Sequence, residues 1–180
     1  MRESMFFILC GRRKEEMKKM RRSKQALSNE KCIEILNNNT SGVLALCGNQ
    51  MEPYALPISY VYENHKIYFH CAKSGYKLDL IQENNQVSFC VIDQDVIVPE
   101  KYTTYFKSVI VFGNIHMLED DDEKQHAIET LAIKYSPDES IQNRQEEIKK
   151  FWKALCLLEL DIKDITGKQA IELVDKRNEG

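Results

Sequence analysis

The stretch Ile67–Lys77 holds the residues best suited to chemistry: one histidine, one cysteine and two lysines within eleven positions. Its first half is apolar and is predicted to form a strand. Successive residues of a strand point to opposite faces of the sheet, so His70 and Cys71 are expected to lie on opposite faces. We expect Cys71 to pack in the core, which leaves His70 on the other side of the strand.

A helix is predicted directly after this strand, with Ser74 as its N-cap. The first backbone N–H groups of a helix have no partner within it, and the helix dipole adds positive charge at the same end. The N–H groups of Gly75, Tyr76 and Lys77 are therefore predicted to face a bound anion. The ammonium groups of Lys73 and Lys77 would add positive charge there, so a phosphate group is the expected ligand.

The chain has 180 residues, of which 43% are hydrophobic, which is enough for one core. We therefore predict one domain at residues 21–170, preceded by a basic arm at residues 1–20 and followed by a polar tail at residues 171–180. The six cysteines include no C-x-x-C pair, which favours reduced thiols in a cytoplasmic protein over disulfides or a zinc site. No apolar run approaches the roughly 20 residues that span a bilayer, so no membrane partner is expected.

Charge is concentrated near the amino terminus. Residues 11–24 carry a net charge of +6, whereas the whole chain carries −3. A nucleic-acid-binding arm is one interpretation of this basic run. The run contains no aromatic residue that could stack on a base, and the acidic remainder would repel phosphate backbones. We therefore predict no nucleic-acid partner, and a basic-armed interaction protein without a cofactor stays as an alternative.

Apolar periodicity predicts six strands with few helices between them, at residues 42–47, 54–62, 67–72, 86–92, 102–118 and 154–162. Helices are predicted from residue 28 and over residues 75–84, 120–135 and 138–150. Pro53 and Pro57 cannot donate to a strand ladder, so their strand is expected at a sheet edge. Gly113 is expected to kink or bulge its strand. The pattern favours a mainly β fold with helices, built as an antiparallel barrel.

Five short motifs occur together in a characteristic order, namely Arg21–Ser28, Leu56–Tyr62, Ile67–Ala72, Gly75–Asp79 and Ser108–Gly113. In order and spacing they resemble the nitroimidazole-resistance (Nim) branch of the pyridoxamine 5'-phosphate oxidase-like flavoproteins. The resemblance extends to about Gln169. It implies a six-stranded antiparallel split β-barrel with flanking helices, of the FMN-binding split-barrel type. It also implies a homodimer that holds flavin mononucleotide (FMN) in two clefts between the subunits, with FAD as an alternative cofactor.

By this resemblance, eleven residues are expected to contact the cofactor: Pro57, Ile58, Ser59, His70, Cys71, Ala72, Gly75, Tyr76, Lys77, Ser108 and Val109. The implied activity is reduction of the nitro group of 5-nitroimidazole drugs to an amine. The substrate class is therefore a small nitroaromatic compound or another oxidant, and the reduced electron donor stays open.

His70 is the candidate catalytic residue. An imidazole exchanges protons near neutral pH, so His70 could supply protons to a nitro group, as could water. A contact with the cofactor or substrate, without proton transfer, ranks above catalysis for this residue. The sequence contains no catalytic triad, and none is needed if a flavin carries the hydride chemistry.

Two other readings of the same residues stay open. One is a non-catalytic redox module that binds flavin or haem. The other is a pyridoxamine phosphate oxidase-like enzyme, which the scarcity of arginine disfavours, because only Arg144 and Arg177 follow residue 22. No metal site is predicted, and His65, His116 and His126 are interpreted as surface residues.

Overall fold

The computed structural model describes residues 20–174. The predicted basic arm lies outside the described residues except for Met20, as do residues 175–180 of the predicted tail. The described part contains the strands β1 (Ser41–Cys47), β2 (Pro53–Ser59), β3 (Val61–Glu63), β4 (Lys66–Ala72), β5 (Gln86–Val98), β6 (Thr103–Met117) and β7 (Leu155–Gln169). Its α-helices are α1 (Asn29–Asn38), α2 (Tyr76–Glu83), α3 (Asp121–Tyr135) and α4 (Ile141–Phe151).

All seven strands belong to one antiparallel sheet with the order β2-β1-β5-β6-β7-β4-β3. β2 forms one edge of the sheet, so the predicted edge position of Pro53 and Pro57 is confirmed. β3 forms the other edge, although Tyr60 alone separates it from β2 in the chain. One chain segment therefore supplies both edges of a sheet that curls without closing.

The mainly β class with flanking helices is confirmed, but the predicted number of six strands is wrong. The seventh strand arises because the predicted strand at residues 54–62 breaks at Tyr60, where the chain changes its pairing partner from β1 to β4. The Tyr60 amide donates to the Thr40 carbonyl at 3.3 Å and to the Tyr135 hydroxyl at 2.8 Å. The Tyr60 side chain is buried, and its hydroxyl donates to the Leu36 carbonyl at 2.8 Å.

Two apolar clusters hold the elements together. The inside of the curled sheet is filled by fully buried side chains, among them Leu44, Phe69, Phe89, Val91, Val109, Ile115, Leu158 and Leu160. A second cluster packs α3 against the outside of β4 and β7, through Val61, Tyr68, Leu118, Ala127, Leu131 and Leu157. Alternate residues of β4 therefore serve both clusters, because Phe69 points inward and Tyr68 points toward α3.

Predicted capping residues explain where two of the four described α-helices begin. Ser28 caps α1, and its hydroxyl accepts a hydrogen bond from the Lys31 amide at 3.3 Å. The Asp120 carboxylate caps α3 by accepting from the amides of Asp122 and Glu123 at 2.9 and 3.1 Å. Both starts agree with the predictions, and such caps stabilise a helix by about 1 kcal/mol each.

The long strands differ from prediction mainly in length. β5 continues to Val98 rather than ending at residue 92, and it is irregular between Ile92 and Gln94. The pairing of β6 with β7 shifts register between Phe112 and Gly113, which confirms the predicted irregularity at the glycine. A β-carbon at Gly113 would overlap the carbonyl oxygen of Asp161 on β7, so only glycine permits this close approach.

The hydroxyl of Tyr135 stabilises the break between the two sheet edges. It accepts from the Tyr60 amide at 2.8 Å and lies in hydrogen-bond contact with the carbonyl oxygens of Thr40 and Tyr60. We expect Tyr135→Phe to lower the free energy of unfolding by about 1–3 kcal/mol, because partly buried backbone groups lose a partner. Urea unfolding followed by circular dichroism measures the difference.

The matched control is Tyr102→Phe. The Tyr102 side chain is 98% exposed, so loss of its hydroxyl should change the free energy of unfolding by less than about 0.5 kcal/mol. Equal stability of the two variants would contradict the role given to Tyr135.

Candidate functional site

The start of α2 lacks a side-chain cap. The predicted N-cap Ser74 is wrong: the capping position belongs to Gly75, which has φ +137° and makes no side-chain cap hydrogen bond. Other residues rarely adopt a φ in this range, whereas glycine does so at little cost because it has no β-carbon. The Leu78 amide bonds to the Gly75 carbonyl at 2.8 Å, whereas the first-turn amides of Tyr76 and Lys77 have no partner within the helix. These two N–H groups are available to an anion.

Two lysines accompany this helix start. Lys73 is exposed and Lys77 is partly exposed, and neither forms a salt bridge with another residue in the range 20–174. The Tyr76 ring meets the Tyr54 ring of β2 edge-on, with 5.2 Å between their centroids. The helix start is therefore fixed beside the edge strand β2. Two lysines bring positive charge to it, and Asp79 places one carboxylate in the same first turn.

The outer face of the sheet brings together predicted residues from distant parts of the chain. The register aligns five residues across five strands, namely Pro57, Val43, Cys90, Ile110 and Thr166. Directly opposed residues share a face, as do residues two apart on one strand, so Ser59 and Ser108 lie on the same face as Pro57. Val43, Ile92 and Ile110 expose apolar side chains on this face, and Ile92 is 60% exposed.

Two of the predicted contacts point the other way. The Val109 side chain is 0% exposed within the sheet's interior, and Ile58 packs against the same core. Any contact that either residue makes with a ligand on the outer face must therefore come from its backbone. Neighbouring residues of a strand point to opposite faces. Ile58 and Val109 therefore face the core because Pro57, Ser59 and Ser108 face outward.

A cavity of about 850 Å³ lies where the end of β4 meets α3 and α4. Three predicted residues line it: His70, Cys71 and Ala72. Most of the remaining wall is apolar and comes from the helices and the start of β7, including Ile128, Leu131, Ile148, Phe151 and Leu155. His70 is exposed, as predicted for the side of β4 opposite the barrel core.

Arg144 of α4 adds a charged group to this cavity, and sequence reasoning gave it no part in the site. One of its terminal nitrogens donates to the Glu139 carbonyl at 3.3 Å. Its Nε atom is buried and has no acceptor among the described residues. No local motif marks Arg144, because its position in the cavity depends on how α4 packs beside α3.

The eleven predicted residues thus fall into separate groups. Pro57, Ser59 and Ser108 lie on the outer sheet face, while Ile58 and Val109 face the core. His70, Cys71 and Ala72 line the cavity, and Gly75, Tyr76 and Lys77 form the start of α2. Of these eleven residues, His70, Cys71 and Ala72 are the ones that line the cavity.

His116 is exposed, as predicted, and its ring lies beside two carboxylates. Its ring nitrogens lie 4.0 Å from a Glu159 carboxylate oxygen and 3.8 Å from one of Asp161. The ligand atoms of these three side chains all lie within 4.8 Å of one another, which is close enough for them to hold one metal ion. Lys66 contacts Glu159 at 2.7 Å, and this hydrogen bond is the largest cause that raises the pKa of Lys66. These side chains come together because β6, β7 and β4 are paired in this register. Their spacing in the sequence does not predict the contact.

The fold is that of a split β-barrel: one curled antiparallel sheet that stays open, with helices packed outside it. A family model described as pyridoxamine 5'-phosphate oxidase matches residues 28–169. The chain belongs to this family. A comparison with curated proteins gave no match.

Several solved structures share the fold at low sequence identity. A candidate 5-nitroimidazole antibiotic resistance protein from Bacteroides thetaiotaomicron is 20% identical, with a TM-score of 0.69 over 80% of this chain and 86% of that one. An FAD-binding protein from Mesorhizobium loti is 22% identical, with a TM-score of 0.59 over 81% and 97%. An FAD- and haem-binding protein from Mycobacterium smegmatis is 20% identical, with a TM-score of 0.67 over 82% and 73%.

Among the helices within residues 20–174, none is both long enough and apolar enough to cross a bilayer.

Proposed function

We propose that this chain is a flavin-dependent oxidoreductase of the nitroimidazole-resistance branch, which binds FMN between two copies and reduces nitro groups of small aromatic compounds. The observation that carries the proposal is the start of α2, where two free amides and two unpaired lysines meet beside the edge strand. Membership of the pyridoxamine 5'-phosphate oxidase family supports it.

The donors at this helix start fit the phosphate of FMN. A phosphate ester is a doubly charged acceptor, and it gains from backbone N–H groups, from the helix dipole and from ammonium groups together. Lys77 in the first turn of a helix is unfavourable without an anion, because the dipole is positive there. In this proposal Lys73, Lys77 and the amides of Tyr76 and Lys77 hold the phosphate.

The outer sheet face would receive the flat ring system and the second copy of the chain. Its exposed Val43, Ile92 and Ile110 give an apolar surface, while Ser59 and Ser108 add hydroxyl groups on the same face. The predicted contact residues occupy different surfaces of one chain. A site shared by two copies explains why they do not meet within one.

The cavity beside His70 suits a small aromatic substrate, because most of its wall surface is apolar. Its charged groups come from Glu139, Arg144, Glu146 and Glu147. When bound, a flavin supplies hydride equivalents from its N5 position. Conversion of a nitro group to an amine takes up six electrons and six protons and releases two water molecules. His70 would hold a proton near the nitro oxygens, and the apolar side chains would exclude bulk water.

The activity test uses the full chain with added FMN, a reduced nicotinamide and a 5-nitroimidazole under anaerobic conditions. We expect nicotinamide oxidation that depends on both protein and FMN, with the amine as the product identified by mass spectrometry. Bound FMN without turnover of any nitroaromatic or related oxidant would contradict the enzymatic part of the proposal.

The proposed dimer gives a separate prediction. Wild-type protein should elute as a dimer in size-exclusion chromatography with light scattering, and Ile110→Glu should be largely monomeric. The reason is that a carboxylate would be buried in the apolar interface at the centre of the sheet face. Ile133→Glu is the control, because Ile133 is exposed on α3 away from this face. A dimer that tolerates Ile110→Glu would place the interface elsewhere.

A second candidate function is a redox module that binds haem as well as flavin without turnover. The observation that favours it is an exposed histidine, His70, at a large and mainly apolar cavity, since histidine is a common axial ligand of haem. Titration with haemin distinguishes the two, because His70→Ala should abolish any haem spectrum of the ligated form.

A further inference from the structure

The structure places two cysteines directly opposite each other at the end of the strand that carries His70. Cys71 of β4 is the register partner of Cys156 of β7. Opposed residues of an antiparallel pair have Cα atoms about 4.5 or 5.5 Å apart, depending on the pair type, and disulfides span about 4.4–6.8 Å. Either pair type therefore fits a disulfide without a change of register.

The two side chains also interact. Opposed residues point to the same face of the sheet, and the Cys156 thiol is close enough to Cys71 to contribute to the raised pKa of Cys71. The other described cysteines lack such a partner: Cys90 is opposite Val43 and Ile110, Cys47 is opposite Pro53, and Cys32 lies on α1. All five cysteines of the described part are free thiols in this structure.

The two thiols lie on the inner face of the sheet, opposite His70. Both side chains pack against the inner apolar cluster, and Cys71 also borders the cavity beside His70. Both cysteines are only partly buried. Burial and the adjacent Cys156 raise the pKa of Cys71, while the nearby Lys77 ammonium acts in the opposite direction. A raised pKa keeps Cys71 mainly in the thiol form, which suits the resolving role.

We propose that Cys71 and Cys156 form a reversible cross-strand disulfide, a redox site that reacts with low-molecular-weight disulfides such as glutathione disulfide. The Cys156 thiolate attacks one sulfur of the small disulfide, forms a mixed disulfide and releases one small thiolate. Cys71 then loses its proton and displaces the second small thiol as the cross-strand bond forms. In sum, the protein dithiol gives up two electrons and two protons, and the small disulfide becomes two thiols.

The test exposes the full chain to glutathione buffers of increasing oxidised fraction, followed by acid quenching, alkylation and trypsin digestion without reductant. Trypsin cuts after Lys66, Lys73, Lys153 and Lys163, so each cysteine lies in its own peptide, 67–73 or 154–163. We expect a linked 67–73/154–163 peptide and the loss of two alkylatable thiols per chain. Dithiothreitol should restore both thiols.

Variants keep the test specific. Cys90→Ser should leave the linked peptide unchanged, whereas Cys156→Ser and, separately, Cys71→Ser should abolish it. On a non-reducing gel the oxidised wild type should run as a single chain. Full alkylation of both peptides at every buffer ratio would overturn the proposal, as would glutathione adducts alone or a disulfide between chains. These readouts need no flavin, so their failure would leave the proposed function untouched.

Discussion

Replacing Lys77 with alanine is expected to raise the dissociation constant for FMN by about 10- to 150-fold. A hydrogen bond to a charged group contributes roughly 1.5–3 kcal/mol, and each 1.4 kcal/mol changes affinity tenfold. Folding should change little, because Lys77 is partly exposed and forms no salt bridge within residues 20–174. Isothermal titration of the flavin-free protein with FMN measures the affinity, and thermal unfolding measures stability.

Two controls separate phosphate binding from general effects of charge. Lys31→Ala removes a lysine from the first turn of α1, where Ser28 already caps the helix, and it should leave FMN affinity unchanged. Riboflavin lacks the phosphate, so Lys77→Ala should change riboflavin affinity far less than FMN affinity. An equal loss of affinity for both flavins, or no loss for FMN, would place the phosphate away from α2.

Replacing His70 with alanine is expected to lower nitro reduction by about 100-fold or more if the imidazole supplies protons, since general acids contribute about 10²–10⁴-fold. The fold should persist, because His70 is exposed and belongs to neither apolar cluster. Steady-state turnover with saturating FMN measures the effect, together with FMN affinity.

The two measurements distinguish the roles of His70. A lower turnover with unchanged FMN affinity would identify a proton donor, whereas a weaker FMN affinity with unchanged turnover at saturation would identify a binding contact. His65→Asn is the control, since His65 lies in an exposed turn with positive φ that asparagine tolerates. A His70→Ala variant with wild-type affinity and wild-type turnover would remove His70 from the site.

Local patterns predicted the elements well because their causes are local. The proline-containing strand lies at the sheet edge, and Ser28 and Asp120 cap their helices as their side chains suggest. The alternation on β4 places Phe69 in the core and His70 outside it. In each case neighbouring residues determine the outcome, so the sequence alone is sufficient.

Features that depend on distant partners could not be predicted in this way. The break at Tyr60 follows from the two ends of the sheet coming together and from the hydroxyl of Tyr135. The cavity wall at Arg144 depends on how α4 packs, and the contacts of His116 with Glu159 and Asp161 depend on sheet register. Local patterns could not assign residues of separate strands to one proposed site, and that assignment rests on the resemblance to a known family.

The absorbance spectrum of the purified chain after incubation with FMN and gel filtration tests the central claim most directly. Mass spectrometry of the flavin released by heat then distinguishes FMN from FAD. The account predicts a yellow protein that retains FMN equimolar with the chain and loses most of it in the Lys77→Ala variant. A colourless protein that takes up neither FMN nor FAD would contradict it.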